Sequence, residues 1–102
     1  ECMNLSLIQL ITIISLDVLE ERIIEDLKSL GVKGYTVSEA HGEGLSVRRD
    51  DNWEGRNIRI EILANNELTE KIFSLLQTKY FPVYKMIAFS QDVKVLRKEK
   101  FI

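Results

Sequence analysis

Cysteine, histidine, proline and tryptophan each occur only once in these 102 residues, as Cys2, His41, Pro82 and Trp53. A lone cysteine near the N-terminus allows no disulfide and no cysteine-based metal site within the chain, so a reducing cytoplasm is the expected setting. One histidine beside Glu39 and Glu43 offers too few donors for an ordinary metal centre. No serine or cysteine nucleophile stands at a recognisable motif spacing from it, and carboxylates such as Glu20, Glu21, Glu25 and Asp26 cluster as a solvated helix face would, so no catalysis is expected.

Positive charge is not in excess either: 14 Lys and Arg against 16 Asp and Glu leave a net charge of −2. A nucleic-acid binder would show a basic face, so that class is set aside. The most apolar run, Leu5 to Leu16, is interrupted by Ser6, Gln9, Thr12 and Ser15 and is shorter than the ~20 residues of a membrane-spanning helix. It has no basic lead-in and no signal-cleavage pattern, which argues against membrane insertion. The chain starts at Glu1 rather than methionine, and Met3 is one candidate for a true start.

What is present is periodicity. Leu5 to Ile14 reads as a strand, and Asp17 with Glu20 has capping-box spacing for a helix running to Leu30. Leu19, Ile23, Ile24, Leu27 and Leu30 share one face of that helix, and Gly31 stands where a C-terminal cap belongs. Gly34 to Ala40 is predicted as a second strand and Asn57 to Ala64 as a third, with Ile58, Ile60 and Ile62 on one side. A second helix starts at Asn65 or Asn66 and turns Leu68, Ile72, Phe73, Leu75 and Leu76 to the core. Pro82 breaks the chain, Lys85 to Phe89 forms a fourth strand, and Val93 to Leu96 a short fifth. The order β-α-β-β-α-β is the ferredoxin-like α+β plan, expected as one domain over residues 1–102.

Strand alternation puts Leu5, Leu7, Ile11 and Ile13 on one face and Ile8, Leu10 and Ile14 on the other. Met86 and Ala88 against Ile87 and Phe89 repeat the two-sided pattern. Two helices cover one face of a four-stranded sheet, so the second face calls for another cover, and self-association is the simplest.

The segment Gly31 to Gly44, GVKGYTVSEAHGEG, precedes a polar loop containing Arg48 and Arg49. Glycine permits close backbone approach to a ligand, and the arginines offer charge-assisted hydrogen bonds to phosphate. The plainer alternative is a flexible exit from a strand.

In its order after a strand, a helix and Gly31, the run Gly34 to Gly44 resembles the second-strand signature of the P-II signalling superfamily, and the likeness spans nearly the whole chain. The stretches Asn57 to Leu63 and Lys79-Tyr80-Phe81-Pro82-Val83-Tyr84 are similar to the P-II-like branch typified by SbtB, which regulates bicarbonate uptake in cyanobacteria. The resemblance implies a trimer of ferredoxin-like subunits, adenine nucleotide bound between neighbours, and a T-loop, about residues 45–56, that contacts a membrane transporter or an enzyme. A cytoplasmic protein recruited to the inner membrane by a transporter would follow.

Residue by residue, the resemblance implies that Gly42 and Gly44 form the loop base, with Thr36 in the same strand and His41 lining the cleft. Arg49 matches a phosphate-contacting arginine of the SbtB-like branch; a second one aligns with Ser46, leaving Arg48 as its substitute. Phe81 to Tyr84 occupies the place of the glycine-rich, lysine-bearing B-loop of the nitrogen-regulatory proteins, which brings Tyr84 to the site. Arg97 matches a C-terminal arginine, but the next one corresponds to Glu99. These departures favour AMP or cyclic AMP over ATP held with magnesium, and no cofactor is required. The loop's Arg48, Asp50, Asp51, Trp53 and Arg56 are the expected partner contacts, Trp53 either anchoring a partner or folding back on its own subunit. The loop has no tyrosine to uridylylate, and Ser46 is its one hydroxyl.

Alternatives on the same fold are a nitrogen-regulatory P-II role, a metal-responsive structural trimer of the CutA kind, which would lean on His41, and an acylphosphatase. The last needs a basic phosphate cradle after the first strand, where this chain has Ser15-Leu16-Asp17.

Overall fold

The computed structural model describes residues 5–42 and 56–96. Strand β1 (Leu5–Leu16) passes through a 3-10 turn (Asp17–Leu19) into helix α1 (Glu20–Ser29). Strands β2 (Thr36–Ala40) and β3 (Asn57–Ala64) follow, then helix α2 (Asn66–Leu75), a π turn (Leu76–Tyr80) and strand β4 (Ile87–Leu96). All pairings are antiparallel in the order β2-β3-β1-β4, the expected ferredoxin-like arrangement.

One sheet face carries the core. Ile11 and Ile13 of β1 and Ile58, Ile60 and Ile62 of β3 meet Ile23 and Leu27 of α1 and Ile72 and Leu76 from the α2 side, all buried. Each such side chain contributes about 1.5–3 kcal/mol through its removal from water. Val37 and Ala88 pack against this cluster from the outer strands, and Met86 from the approach to β4. Leu5 and Leu7, although in step with Ile11 and Ile13, stay 50% and 58% exposed.

Helix ends follow the sequence signals in two cases of three. Asn65 accepts a hydrogen bond from the Leu68 N–H at 2.8 Å and caps α2. Gly31 takes φ 107°, and the Val32 N–H donates back to the Leu27 carbonyl at 3.1 Å, closing α1. At the start of α1, no side-chain cap forms. The Asp17 N–H instead donates to the Arg56 carbonyl at 2.7 Å, which ties Asp17 to the sheet end, and the 3-10 turn delays the helix to Glu20.

The strand predictions also need correction at their ends. Lys85–Phe89 and Val93–Leu96 are not two strands: β4 is continuous, because Ser90, Gln91 and Asp92, although two of them are turn-forming types, remain paired with Ile11, Leu10 and Gln9 of the long β1. A hydrogen bond from the Gln9 amide to Asp92 reinforces this stretch. Gly34 and Tyr35 lie outside the sheet, so β2 begins at Thr36.

A Cβ at Gly31 would meet nothing within 4 Å, so Gly31→Ala isolates the cost of positive φ. The expected loss is about 1–2 kcal/mol, checked by urea unfolding at fixed protein concentration.

Candidate functional site

The strand registers gather four chain segments at one end of the sheet. Ala40 lies opposite Asn57, Asn57 opposite Leu16, and Ile14 opposite Ile87. The exit of β2, the entry of β3, the junction of β1 with α1 and the entry of β4 therefore share this end. Strands are about 4.8 Å apart, so roughly 14 Å separates β2 on one edge from β4 on the other.

On the β2–β3 side, the Asp17–Arg56 backbone bond anchors the start of β3, and the Arg56 guanidinium lies 3.5 Å from Glu39 across the strand pair. Both side chains are nearly two-thirds exposed, so this ion pair adds little stability. His41 and Gly42 follow, exposed. Neither positive φ nor crowding requires glycine at position 42, where a Cβ would meet nothing within 4 Å. Beside them, the Asp17 Oδ1 is sealed from solvent and meets no donor among the described residues.

Of the residues predicted from sequence, His41, Gly42 and Arg56 come together at this end. Thr36 does not: it begins β2, four residues from Ala40, a distance of about 14 Å along an extended strand. Its register partner is Glu61, and Ser38 faces Arg59. Strand parity puts all four on the face away from the helices, as a polar strip flanking the apolar Ile14, Ile87 and Phe89. Glu61 and Arg59 were not among the residues expected from sequence, although the alternation of β3 marks them as sharing the face of Thr36. Gly44, Arg48, Arg49, Asp50, Asp51, Trp53 and Arg97 lie outside the described residues.

Tyr84 stands on the β4 side, in a corner bound to α1. The π turn begins it: the Phe81 N–H donates to the Leu76 carbonyl at 2.8 Å, five residues back. Tyr80 is thereby fully buried, and its hydroxyl donates to Asp26 of α1 at 2.6 Å. The Lys79 ammonium reaches the same carboxylate at 2.8 and 3.1 Å. Tyr84 accepts a hydrogen bond from Arg22 at 2.9 Å, with the guanidinium 5.8 Å from the ring centroid. Burial raises the Asp26 carboxyl's pKa, but the hydrogen bonds from Lys79 and Tyr80 outweigh this and hold it below its ordinary value. The Tyr80 phenol is pushed up, by burial first and then by Asp26, and so remains a donor.

Among the described residues no three His, Cys, Asp or Glu side chains converge to hold a metal, and no helix is long and apolar enough to cross a membrane. An open groove along α2, lined by residues including Leu30, Glu67, Lys71 and Thr78, presents mixed charge without convergent donors.

The family model for nitrogen regulatory protein P-II matches residues 8–100. Among solved structures, a PII-like signalling protein of Thermus thermophilus is 43% identical, with 98% of this chain and 100% of that chain covered at a TM-score of 0.85. The PII-like protein CPII of Thiomonas intermedia, bound to ADP, AMP and acetate, is 26% identical over 97% of this chain and 98% of that one, also at 0.85. Another CPII structure, with ADP and bicarbonate, matches at 24% identity and a TM-score of 0.85, covering 99% of this chain and 100% of that one, and attests the fold. No curated protein matches the chain.

The Asp26 junction carries a pH dependence. A carboxyl held below its unfolded value adds stability that is present above about pH 4 and is lost as pH falls through the folded value. Acid unfolding monitored by circular dichroism is expected to lose part of its slope in Asp26→Asn. Tyr80→Phe, which removes one hydrogen bond to a charged group, is expected to cost about 1.5–3 kcal/mol at pH 7.

Proposed function

The chain belongs to the nitrogen regulatory protein P-II family, and we propose that it works as a regulator that binds an adenine nucleotide between subunits and passes the ligand state to a partner protein. The observation carrying this reading is the separation of the two half-sites. His41, Gly42 and the loop base stand at the β2–β3 edge, while the Tyr84 corner stands at the β4 edge of the same sheet end. Within one subunit they lie a sheet's width apart. Head-to-tail packing around a closed ring sets the β4 edge of one copy against the β2–β3 edge of the next.

The uncovered sheet face supports such a ring. Ile87 and Phe89 are 43% and 44% exposed beside the partly buried Leu10, Ile14 and Leu63. Burying this surface between copies is the available way to remove it from water. Three copies is the stoichiometry that the family resemblance implies. The ADP and AMP bound by CPII support an adenine nucleotide as the ligand class.

In this reading Gly42 and Gly44 leave room for the nucleotide, Thr36 lines the open sheet face that leads to the cleft, and Arg49, with Arg48 or Arg97 in support, meets the phosphate. AMP or cyclic AMP is favoured, because the corner lacks a glycine-rich phosphate loop and Glu99 would repel a polyphosphate. Residues 45–56 form the partner-binding loop, with Arg48, Asp50, Asp51, Trp53 and Arg56 as contacts. Ligand binding selects one arrangement of that loop and so changes partner affinity. A transporter, with bicarbonate transport first on the likeness of Lys79 to Tyr84, is the proposed client, and the role is regulatory rather than catalytic.

Calorimetry and thermal melting with AMP, cyclic AMP, ADP and ATP test the ligand reading: heat and a raised Tm are expected with at least one, and none with any at millimolar ligand would overturn it. Phe89→Asp alters the open face without touching the helix-side core, and light scattering is expected to show the trimer shifted to monomer.

A further inference from the structure

The Tyr80–Tyr84 corner has no backbone donor left for an anion. The Phe81 N–H donates to the Leu76 carbonyl at 2.8 Å, and the Val83 and Tyr84 N–H groups both donate to the Tyr80 carbonyl, at 3.0 and 2.8 Å. Pro82 has none. A glycine-rich phosphate loop works through free backbone N–H groups, so this corner can hold an anion only through side chains.

Among the cations on the helix side of the corner, Lys79 is committed to Asp26, and Lys85, exposed beyond Tyr84, is a point charge without an arginine's planar fork. Arg22 is not so committed. It is exposed on the first turn of α1, has no carboxylate within ion-pair distance among the described residues, and uses one donor on the Tyr84 hydroxyl. Asp26, the acid one turn further along α1, is already occupied by Lys79 and Tyr80. The guanidinium is thus held in place by a hydrogen bond and a ring face while most of its donor fork stays open.

We propose that Arg22, oriented by Tyr84, is a phosphate-reading residue of the nucleotide site, supplying from helix α1 the positive charge that the Phe81–Tyr84 connection cannot supply. This rests on the intersubunit nucleotide reading, because the corner completes a cleft only when a neighbour's loop base faces it. Tyr84 acts as a positioning residue: its hydroxyl and ring fix the fork, and Asp26 holds the turn beneath by way of Tyr80. The adenosine part of the ligand makes no demand on Arg22.

The test is titration calorimetry of wild type, Arg22→Met, Arg22→Lys and Tyr84→Phe with adenosine and with AMP. Arg22→Met is expected to weaken AMP binding about tenfold or more, the loss of a charge-assisted phosphate contact, with adenosine affinity unchanged. Arg22→Lys, which keeps charge but loses the fork, should fall between, and Tyr84→Phe should weaken AMP alone by a smaller factor. Arg22 is exposed, so Tm without ligand should not change. Wild-type AMP affinity in Arg22→Met, or an equal loss for adenosine and AMP, overturns the assignment while leaving the nucleotide reading intact. Failure of wild-type protein to bind either ligand overturns both.

Discussion

Strand β1 sits inside the sheet, pairs with β4 over Leu5 to Ile14 and with β3 over Gln9 to Leu16, and is apolar on both faces, and the rest of the structure answers to that constraint. Its helix-facing residues, Ile11 and Ile13, are satisfied by α1 and α2. Its other face buries Ile8 and Thr12 but shares a surface with Ile87 and Phe89, which the described chain leaves 43% and 44% exposed. A fold of this size has only two helices, and the ferredoxin-like connectivity places both on one side. The proposed assembly and the proposed position of the ligand site both descend from this imbalance: the copies that cover the second face also bring opposite sheet edges together.

Architecture was legible because it rests on local, periodic signals. The alternation of Ile58, Ile60 and Ile62 and the stops at Gly31 and Asn65 each have one physical reading, and the structure follows them. Where expectation and structure part, a nonlocal partner decides. Asp17 has the chemistry of a helix cap, but its backbone N–H is claimed by Arg56, 39 positions later in the numbering. Ser90 to Asp92 look like an interruption until β1 is seen to run long enough to keep them paired. A strand's end is set by its neighbour's length as much as by its own residues.

The candidate site was legible only in part, for a related reason. Glycines and arginines near the end of β2 admit an anion site or a flexible strand exit, the resemblance alone makes the place a loop base, and the structure has His41 and Gly42 exposed at that strand end. Tyr84 was reached by resemblance, but its environment was not, since nothing local connects position 84 with position 22. That contact exists because α1 descends from the sheet end to which α2 ascends, bringing the first turn of one helix against the last of the other. Thr36 shows the opposite limit: its neighbours on the open face could have been read from strand parity, whereas its separation from Gly42 is a matter of strand length.

The π turn at Leu76–Tyr80 has a consequence for the chain's tolerance of change. Each residue of an α-helix advances the side-chain direction by about 100°, and a π turn is an α-helix that has absorbed one extra residue. Here the extra residue sets the angular phase at which Tyr80 turns inward to Asp26 and Tyr84 turns toward Arg22. Substitutions along the exposed side of this turn leave that phase alone. Continued as an ordinary α-helix, the same sequence would turn Tyr80 and Tyr84 by roughly a quarter of a circle away from α1, whereas a one-residue deletion here would remove the bulge and leave that phase nearly unchanged. This stretch therefore tolerates the loss of a residue, whereas narrowing the turn at its present length would unseat both tyrosines.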